Sequence, residues 1–493
     1  MNRDKRRFWL WAGAALVAGL LLRLWFVGHL ARVTGDSLIY GGIARNWLQH
    51  GIYGFTERGR APGSIEIRAT LIRLPGYPIF LAACFRLFGI EHYSAVMSVQ
   101  VVADLVTCWL ASALAGRLFG SRAALAVLWL AAMCPFTASY VAAPLTETLV
   151  LTTIALTLYG FARWQDAEPG YNRWLWVVAA ALAYSILLRP EQGLFAAAVL
   201  LAMLWRSLAT RPTGSPLLSS ALPVLAAALC VVLPLLPWTM RNWRTFHTFQ
   251  PLAPRYANDP GELPPLGFAR WYRTWAIDFA STEEVYWNYN GDRIELDDLP
   301  PRAFSTASQS GSEDLRSRTA ALLADYNATT TVTPAIDARF DALAAERIRA
   351  HPILYCVSLP MARLLDMVLR PRTEMMKTPL EWWRWREHRA QTAFAASYAA
   401  LNLVYIILGV AGFYAWRRGG WISTERAGSG SRAFRELAFA MAASLILRSA
   451  LLLTLDNSEP RYTLEFFPVL FVLASALFAA PLRPSSMQQR VGR

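Results

Sequence analysis

Ten apolar stretches recur along the chain, most of them close to the roughly 20 residues that cross a bilayer core. They are Phe8–Gly28, Ser94–Gly116, Ala123–Val141, Leu145–Ala162, Trp174–Leu188, Gly193–Trp205, Leu222–Trp238, Phe394–Trp416, Phe434–Leu455 and Leu464–Ala480. The two on either side of Arg189-Pro190 are short, which implies a kink or a tilt there. The pattern changes just after the first stretch. Thr34-Gly35-Asp36-Ser37-Leu38-Ile39-Tyr40 sets an acid close to where a membrane would end. Ile39, Ile43 and Trp47 then recur at i, i+4, i+8, which predicts an amphipathic helix over 37–50 with its stop at Gly51. Tyr77–Phe88 is apolar too, but it is about a dozen residues long and bounded by Pro75, Pro78 and Arg86. That length fits an interfacial or re-entrant helix rather than a span.

Arginine placement orients this pattern. If Arg3, Lys5, Arg6 and Arg7 lie in the cytoplasm, so do the short connections with Arg117/Arg122, Arg163/Arg173 and Arg206/Arg211. The 417–432 loop and the tail with Arg483, Arg490 and Arg493 then also fall inside. Counting Tyr77–Phe88 as a span would reverse every later loop. The resulting layout is an all-α polytopic membrane protein in three parts. Residues 1–238 form an N-terminal membrane module whose first outer loop is 29–93. Residues 239–393 form a long outer segment ending in an amphipathic stretch at Ile353–Leu369, and 394–493 carry the last spans. The outer segment is too long for a plain loop and predicts structure of its own, with a Ser-rich patch at 305–318 that reads as flexible.

Composition narrows the class. The chain has 493 residues, is 55% hydrophobic and carries a formal charge of +14. Lys5 and Lys377 are its only lysines, so the positive charge is arginine, much of it flanking apolar runs. Membrane orientation accounts for it, no nucleic-acid motif is present, and nucleic-acid binding is excluded. The bias of arginine over lysine points to a GC-rich bacterial genome and hence to a bacterial inner membrane. Cysteines 84, 108, 134, 230 and 356 all lie in apolar surroundings, with no CxxC or Cys/His cluster. No Walker, Rossmann, GxSxG or HExxH pattern appears.

Candidate chemistry gathers at the outer ends of the spans. Asp36 reads equally as a helix N-cap and as a general base. Glu147, in Pro144-Leu-Thr-Glu147-Thr, reads on spacing as a first-turn acid favoured by the helix dipole. Arg73 and Arg461 suit phosphate, which a guanidinium fork matches, or equally lipid headgroups. Glu459 is placed to neutralise Arg461. Arg189, Glu191, Arg241 and Asp456 share the same level. Asp104, inside the second span, reads as a structural hydrogen-bonding group, and Arg23 and Arg448 as snorkelling side chains.

The chain resembles the GT-C fold glycosyltransferases that use polyprenyl-phosphate sugars, near the protein O-mannosyltransferase and lipid A aminoarabinose transferase branches. The resemblance rests on ordered pieces. These are Gly35-Asp36-Ser37 with Tyr40 and Ala44-Arg45-Asn46, Arg73-Leu-Pro-Gly-Tyr-Pro78 leading to Leu87-Phe-Gly89, and Pro144-Leu-Thr-Glu147-Thr. Leu188-Arg-Pro-Glu191, Pro237-Trp-Thr-Met-Arg-Asn242, His351-Pro and Glu459-Pro-Arg-Tyr462 follow. Residues 255–345 match none of its pieces. It implies a GT-C-like bundle and a hexosyl- or pentosyltransferase that moves sugar from a lipid phosphate to an extracytoplasmic lipid, glycan or protein hydroxyl, with inversion. Asp36 is implied as base, Glu147 as a second acid, and Arg73 and Arg461 as phosphate-binding. Tyr40, Glu459, Arg189 and Arg241 complete the implied site. Arg73 departs from the lysine usual in the aminoarabinose branch. No cofactor is required, while a divalent cation beside Asp36 and Glu147 is compatible with oligosaccharyltransferases of the same fold. Membrane lipids are expected partners. Two rivals remain: a flippase of a lipid-linked sugar, which predicts charges along a mid-membrane path, and a scaffold, which predicts span-end charges that act independently.

Overall fold

The computed structural model describes residues 3–58, 65–167, 170–211, 213–305, 309–418 and 430–479. The 417–432 loop and the C-terminal tail, on which part of the orientation argument rests, lie largely outside them. Among the described residues the chain is helical apart from one two-stranded antiparallel ladder, Gly54–Arg58 against Ile65–Ala69.

Among the described residues, seven helices are long and apolar enough to cross a membrane, or up to nine if each of two bent pairs counts once. The expected stretch Ala123–Val141 is one of those pairs, Ser121–Ala132 and Pro135–Ala142, bent by 48°. Pro135 lacks the N–H that would continue the ladder. Arg173–Leu188 is apolar but short, as its position beside Arg189-Pro190 implied. Glu147–Asp166 is not among the seven. It is buried on nearly every face, packed against Tyr93–Phe119 and Arg173–Leu188. Protein rather than lipid surrounds it, and two of its threonines bond across to neighbouring helices: Thr153 bonds Ser185 and Thr107 bonds Thr152.

The first outer loop is built as the amphipathic pattern predicts, with one correction. The helix Asp36–His50 ends on Gly51, whose left-handed φ of 70° a side chain would resist. Its cap, however, is Gly35, and no side chain caps it. Asp36 is the first helical residue and its carboxylate points elsewhere, so the N-cap reading does not hold. Gly76–Phe88 forms a 13-residue helix. A Cβ on Gly76 would meet the backbone of Leu187 at 2.5 Å, so only glycine lets this helix seat against the end of Arg173–Leu188.

The long outer segment has its own apolar core. Trp271, Tyr272, Trp275, Tyr326 and Phe340 are fully buried within it, and Phe268 stacks on Tyr289. Part of the Ser-rich patch is helix, since Gln309–Asn327 is a continuous element. His351-Pro352 breaks the next helix, and Pro334–Ala350 turns by 105° into Leu354–Leu369. Ile353, Val357, Met361, Leu365 and Leu369, four residues apart, are exposed on that second limb, as the amphipathic reading requires.

Among the described residues, Arg23 and Asp104 form an ion pair deep within the spans. Arg23 is fully buried and its guanidinium meets Asp104 at 2.5 Å, while it also donates to the carbonyls of Gly19 and Ala132. Asp104 is therefore structural, as read. Arg23 does not snorkel, because its charge is spent inside the bundle. Arg23→Ala leaves Asp104 unpaired, and a loss of about 3 kcal/mol is expected in detergent-solubilised protein. Adding Asp104→Leu removes the stranded charge and should recover most of the melting temperature.

Candidate active site

Four arginines and five carboxylates form one continuous chain of ion pairs where the ends of several helices meet. It begins at Asp36. One carboxylate oxygen meets Arg73 at 2.8 Å and the other meets Arg461 at 2.9 Å. Arg461 also faces Glu459 at 3.5 Å and Glu147 at 3.8 Å. Glu147 passes the contact to Arg189 at 3.4 Å. Arg189 meets Glu191 at 2.9 Å and Glu465 at 3.6 Å, and Arg448 closes the far end against Glu465 at 3.0 Å and Glu191 at 3.4 Å.

Local structure explains the convergence. Asp36 sits at the start of its helix, Arg73 in the turn before Gly76, Glu147 and Glu191 at helix starts, and Glu459 and Arg461 at the 3₁₀ turn Pro460–Phe466. Helix ends from well-separated parts of the chain thus meet at one level, and helix N-termini favour the acids that stand there. Two rings line the chain of charges. Tyr40 lies 5.7 Å from the Arg73 guanidinium and Tyr462 lies 5.3 Å from that of Arg189.

The electrostatics divide the acids. Burial alone would raise the Asp36 carboxyl, but Arg461 and Arg73 overcome it and hold the group well below the usual carboxylate range. Glu191 behaves likewise: burial is outweighed by Arg189 and Arg448, and it falls to about 2. Glu459 goes the other way. Burial pushes it up to about 7 although Arg461 opposes, and the nearby Glu374, Glu147 and Asp36 add to the rise. Its Oε2, the Oε2 of Glu374 and the Nε of Arg461 are buried without a hydrogen-bond partner. Near the far end a narrow cleft opens between Glu191, Arg448 and Glu465, walled by Ile154, Phe195, Leu445 and Val469.

Of the residues singled out in the sequence, Asp36, Arg73, Glu147, Glu459, Arg461, Arg189 and Tyr40 are brought together. Arg241 is not. Its guanidinium donates to the carbonyls of Tyr53 and Thr70 and lies over the rings of Tyr53, Trp238 and Phe246, so it braces the ladder. Glu465 was missed. It stands inside the last apolar stretch, and an acid there is a signal that the sequence carries. Arg448 is nearly buried and paired rather than snorkelling. Asp36 carries two guanidiniums, and among the described residues no group of three His, Cys, Asp or Glu side chains could hold a metal ion.

Comparison with known proteins bears on this arrangement. Residues 73–238 match the dolichyl-phosphate-mannose-protein mannosyltransferase family. The matched segment carries Arg73, Glu147, Arg189 and Glu191, and agrees with the resemblance read from the motifs. No curated protein sequence matches the chain. Among solved structures, an oligosaccharyltransferase of Archaeoglobus fulgidus is similar at 12% identity and a TM-score of 0.48, over 95% of this chain and 49% of its own. ArnT of Cupriavidus metallidurans is similar at 16% identity and a TM-score of 0.37, over 96% of this chain and 78% of its own. The same protein bound to undecaprenyl phosphate gives 15% and 0.36, over 95% and 77%. The chain thus spans about half the length of the archaeal enzyme it matches.

Proposed function

We propose that this chain is a membrane glycosyltransferase that moves a sugar from a polyprenyl-phosphate donor to an extracytoplasmic acceptor hydroxyl, with inversion. The observation that carries the reading is the Arg73–Asp36–Arg461 arrangement, a carboxylate between two guanidiniums at the mouth of the bundle. The match of 73–238 to a family named for a dolichyl-phosphate sugar supports it. In this reading the site faces outward from a bacterial inner membrane, with both termini cytoplasmic. Residues 1–238 and 394–493 form the membrane part, and 239–393 lie above it.

The chemistry follows from the charges. A lipid phosphate entering beside Asp36 competes for Arg73 and Arg461, which suit its oxygens. As they turn to the phosphate, Asp36 loses the charges that depress its basicity. The acceptor oxygen then attacks the anomeric carbon while its proton passes to Asp36. The bond from that carbon to the phosphate oxygen breaks, and the leaving phosphate keeps the electron pair under the two guanidiniums. No cofactor enters this scheme. Glu147 faces Arg461 from behind and is itself held by Arg189. A flippase would place its charges along the spans, whereas the described intramembrane pair Arg23–Asp104 is closed on itself. A scaffold would leave the span-end charges independent, whereas here they are joined.

The direct test supplies purified protein with radiolabelled polyprenyl-phosphate sugars and a membrane extract as acceptor. Release of free polyprenyl phosphate matched by label in the acceptor is expected. If donor crosses a vesicle bilayer with its sugar still attached, the flippase reading replaces this one.

A further inference from the structure

The segment 454–463 carries Glu459 and Arg461, yet little of its own secondary structure fixes it before the turn at Pro460. The fixing groups come from the long outer segment. Thr282 is fully buried, and its hydroxyl accepts from the Ser458 amide at 3.2 Å and stands 3.3 Å from the Ser458 carbonyl as a donor. Ser458 Oγ donates to Asp366 at 2.7 Å. Arg372, nearly buried, donates to the Pro460 carbonyl at 3.1 Å and is held by the Asn402 side chain at 3.2 Å. Glu459 is thus gripped at both neighbouring residues, and Arg461 directly follows one of the grips. Thr282 also opens a π-turn, Thr282–Tyr286. Such turns leave backbone and side chains re-aimed and often stand at functional sites.

We propose that Thr282, with Asp366 and Arg372, is a positioning residue of the transfer site. Through the backbone of Ser458 and Pro460 it sets where the Glu459 carboxylate and the Arg461 guanidinium stand, so the outer segment is part of the donor-binding machinery. The proposal rests on reading Arg461 as a donor-phosphate residue. Sub-ångström placement matters here because a guanidinium fork must meet phosphate oxygens in a fixed geometry.

The test is kinetic. Thr282→Val keeps the shape and removes the hydroxyl. Its KM for polyprenyl-phosphate sugar is expected to rise about tenfold, with acceptor KM within about twofold of wild type. Thr282→Ser should restore the donor KM. Leu322→Ala, in the outer core away from the segment, serves as the control: it lowers the melting temperature but leaves donor KM unchanged. Should Thr282→Val not fold, Asp366→Asn is read in its place with the same expectation. An unchanged donor KM in the folded variant, or an equal rise in Leu322→Ala, overturns the positioning role. Failure of the wild-type protein to bind polyprenyl phosphate at all overturns the proposed function instead.

Discussion

Asp36→Asn is expected to slow transfer by about 10²–10⁴-fold while leaving donor KM unchanged or lower. The two parts have different causes. The amide cannot take the acceptor proton, so the chemical step loses its base. In the unliganded protein, however, the Asp36 carboxylate also competes with the donor for Arg73 and Arg461, at 2.8 and 2.9 Å. Asparagine offers one oxygen and no charge, so both guanidiniums become freer to hold phosphate. A residue that merely stabilised the loop would show the reverse, with KM and melting temperature moving and the single-turnover rate holding. Near wild-type turnover in a folded Asp36→Asn protein would remove Asp36 as the base. Asp36→Glu keeps the charge but lengthens the arm, and is expected to retain part of the rate.

The double role of Asp36 shows which features were legible in the chain. Its position after the first span, the helix beyond it and the stop at Gly51 follow from spacing alone, because a 3.6-residue period and a left-handed stop are local properties. The partners of Asp36 are not local. Arg461 lies more than 400 residues away, and only the ordered resemblance linked the two. Glu465 went unread because its apolar neighbours, Leu464 and Phe466, look like any span start. Arg241 was misplaced for the converse reason: its flanking tryptophans fit a site as well as the ring-and-carbonyl brace it makes. Arg23 and Arg448 looked like snorkelling arginines because period and hydropathy cannot tell a lipid-facing side chain from a bundle-facing one. The outer segment's core of stacked rings follows no regular period, so its packing was beyond reach.

Arg461→Ala is expected to cost about 10³-fold in kcat/KM and to make the melting temperature strongly dependent on pH. The rate falls because the leaving phosphate loses one of its two guanidiniums. The pH effect comes from the acids left behind. Arg461 stands among Asp36, Glu459 and Glu147, and it is the group that opposes the upward push of burial on Glu459. In the wild type Glu459 is raised from its ordinary 4.5 to about 7, so over that window the folded state binds more protons than the unfolded one. Stability therefore falls as pH rises from about 4.5 to about 7 and stays lowered above it. Asp36 acts in the opposite sense. Its depressed carboxyl contributes stability that is present above 3.8 and is lost as pH falls through its folded value, outside the window in which Glu459 titrates. Without Arg461, Glu459 rises further, and the fall in stability continues to higher pH. Arg461→Lys keeps the charge and loses the fork, so it should keep the wild-type pH profile while still losing donor affinity. Arg461→Ala combined with Glu459→Gln should flatten the melting temperature between pH 5 and about pH 8 without restoring transfer. If the melting temperature of Arg461→Ala tracks that of the wild type at every pH, Glu459 is not the titrating group. If its donor KM also stays unchanged, Arg461 does not hold the phosphate.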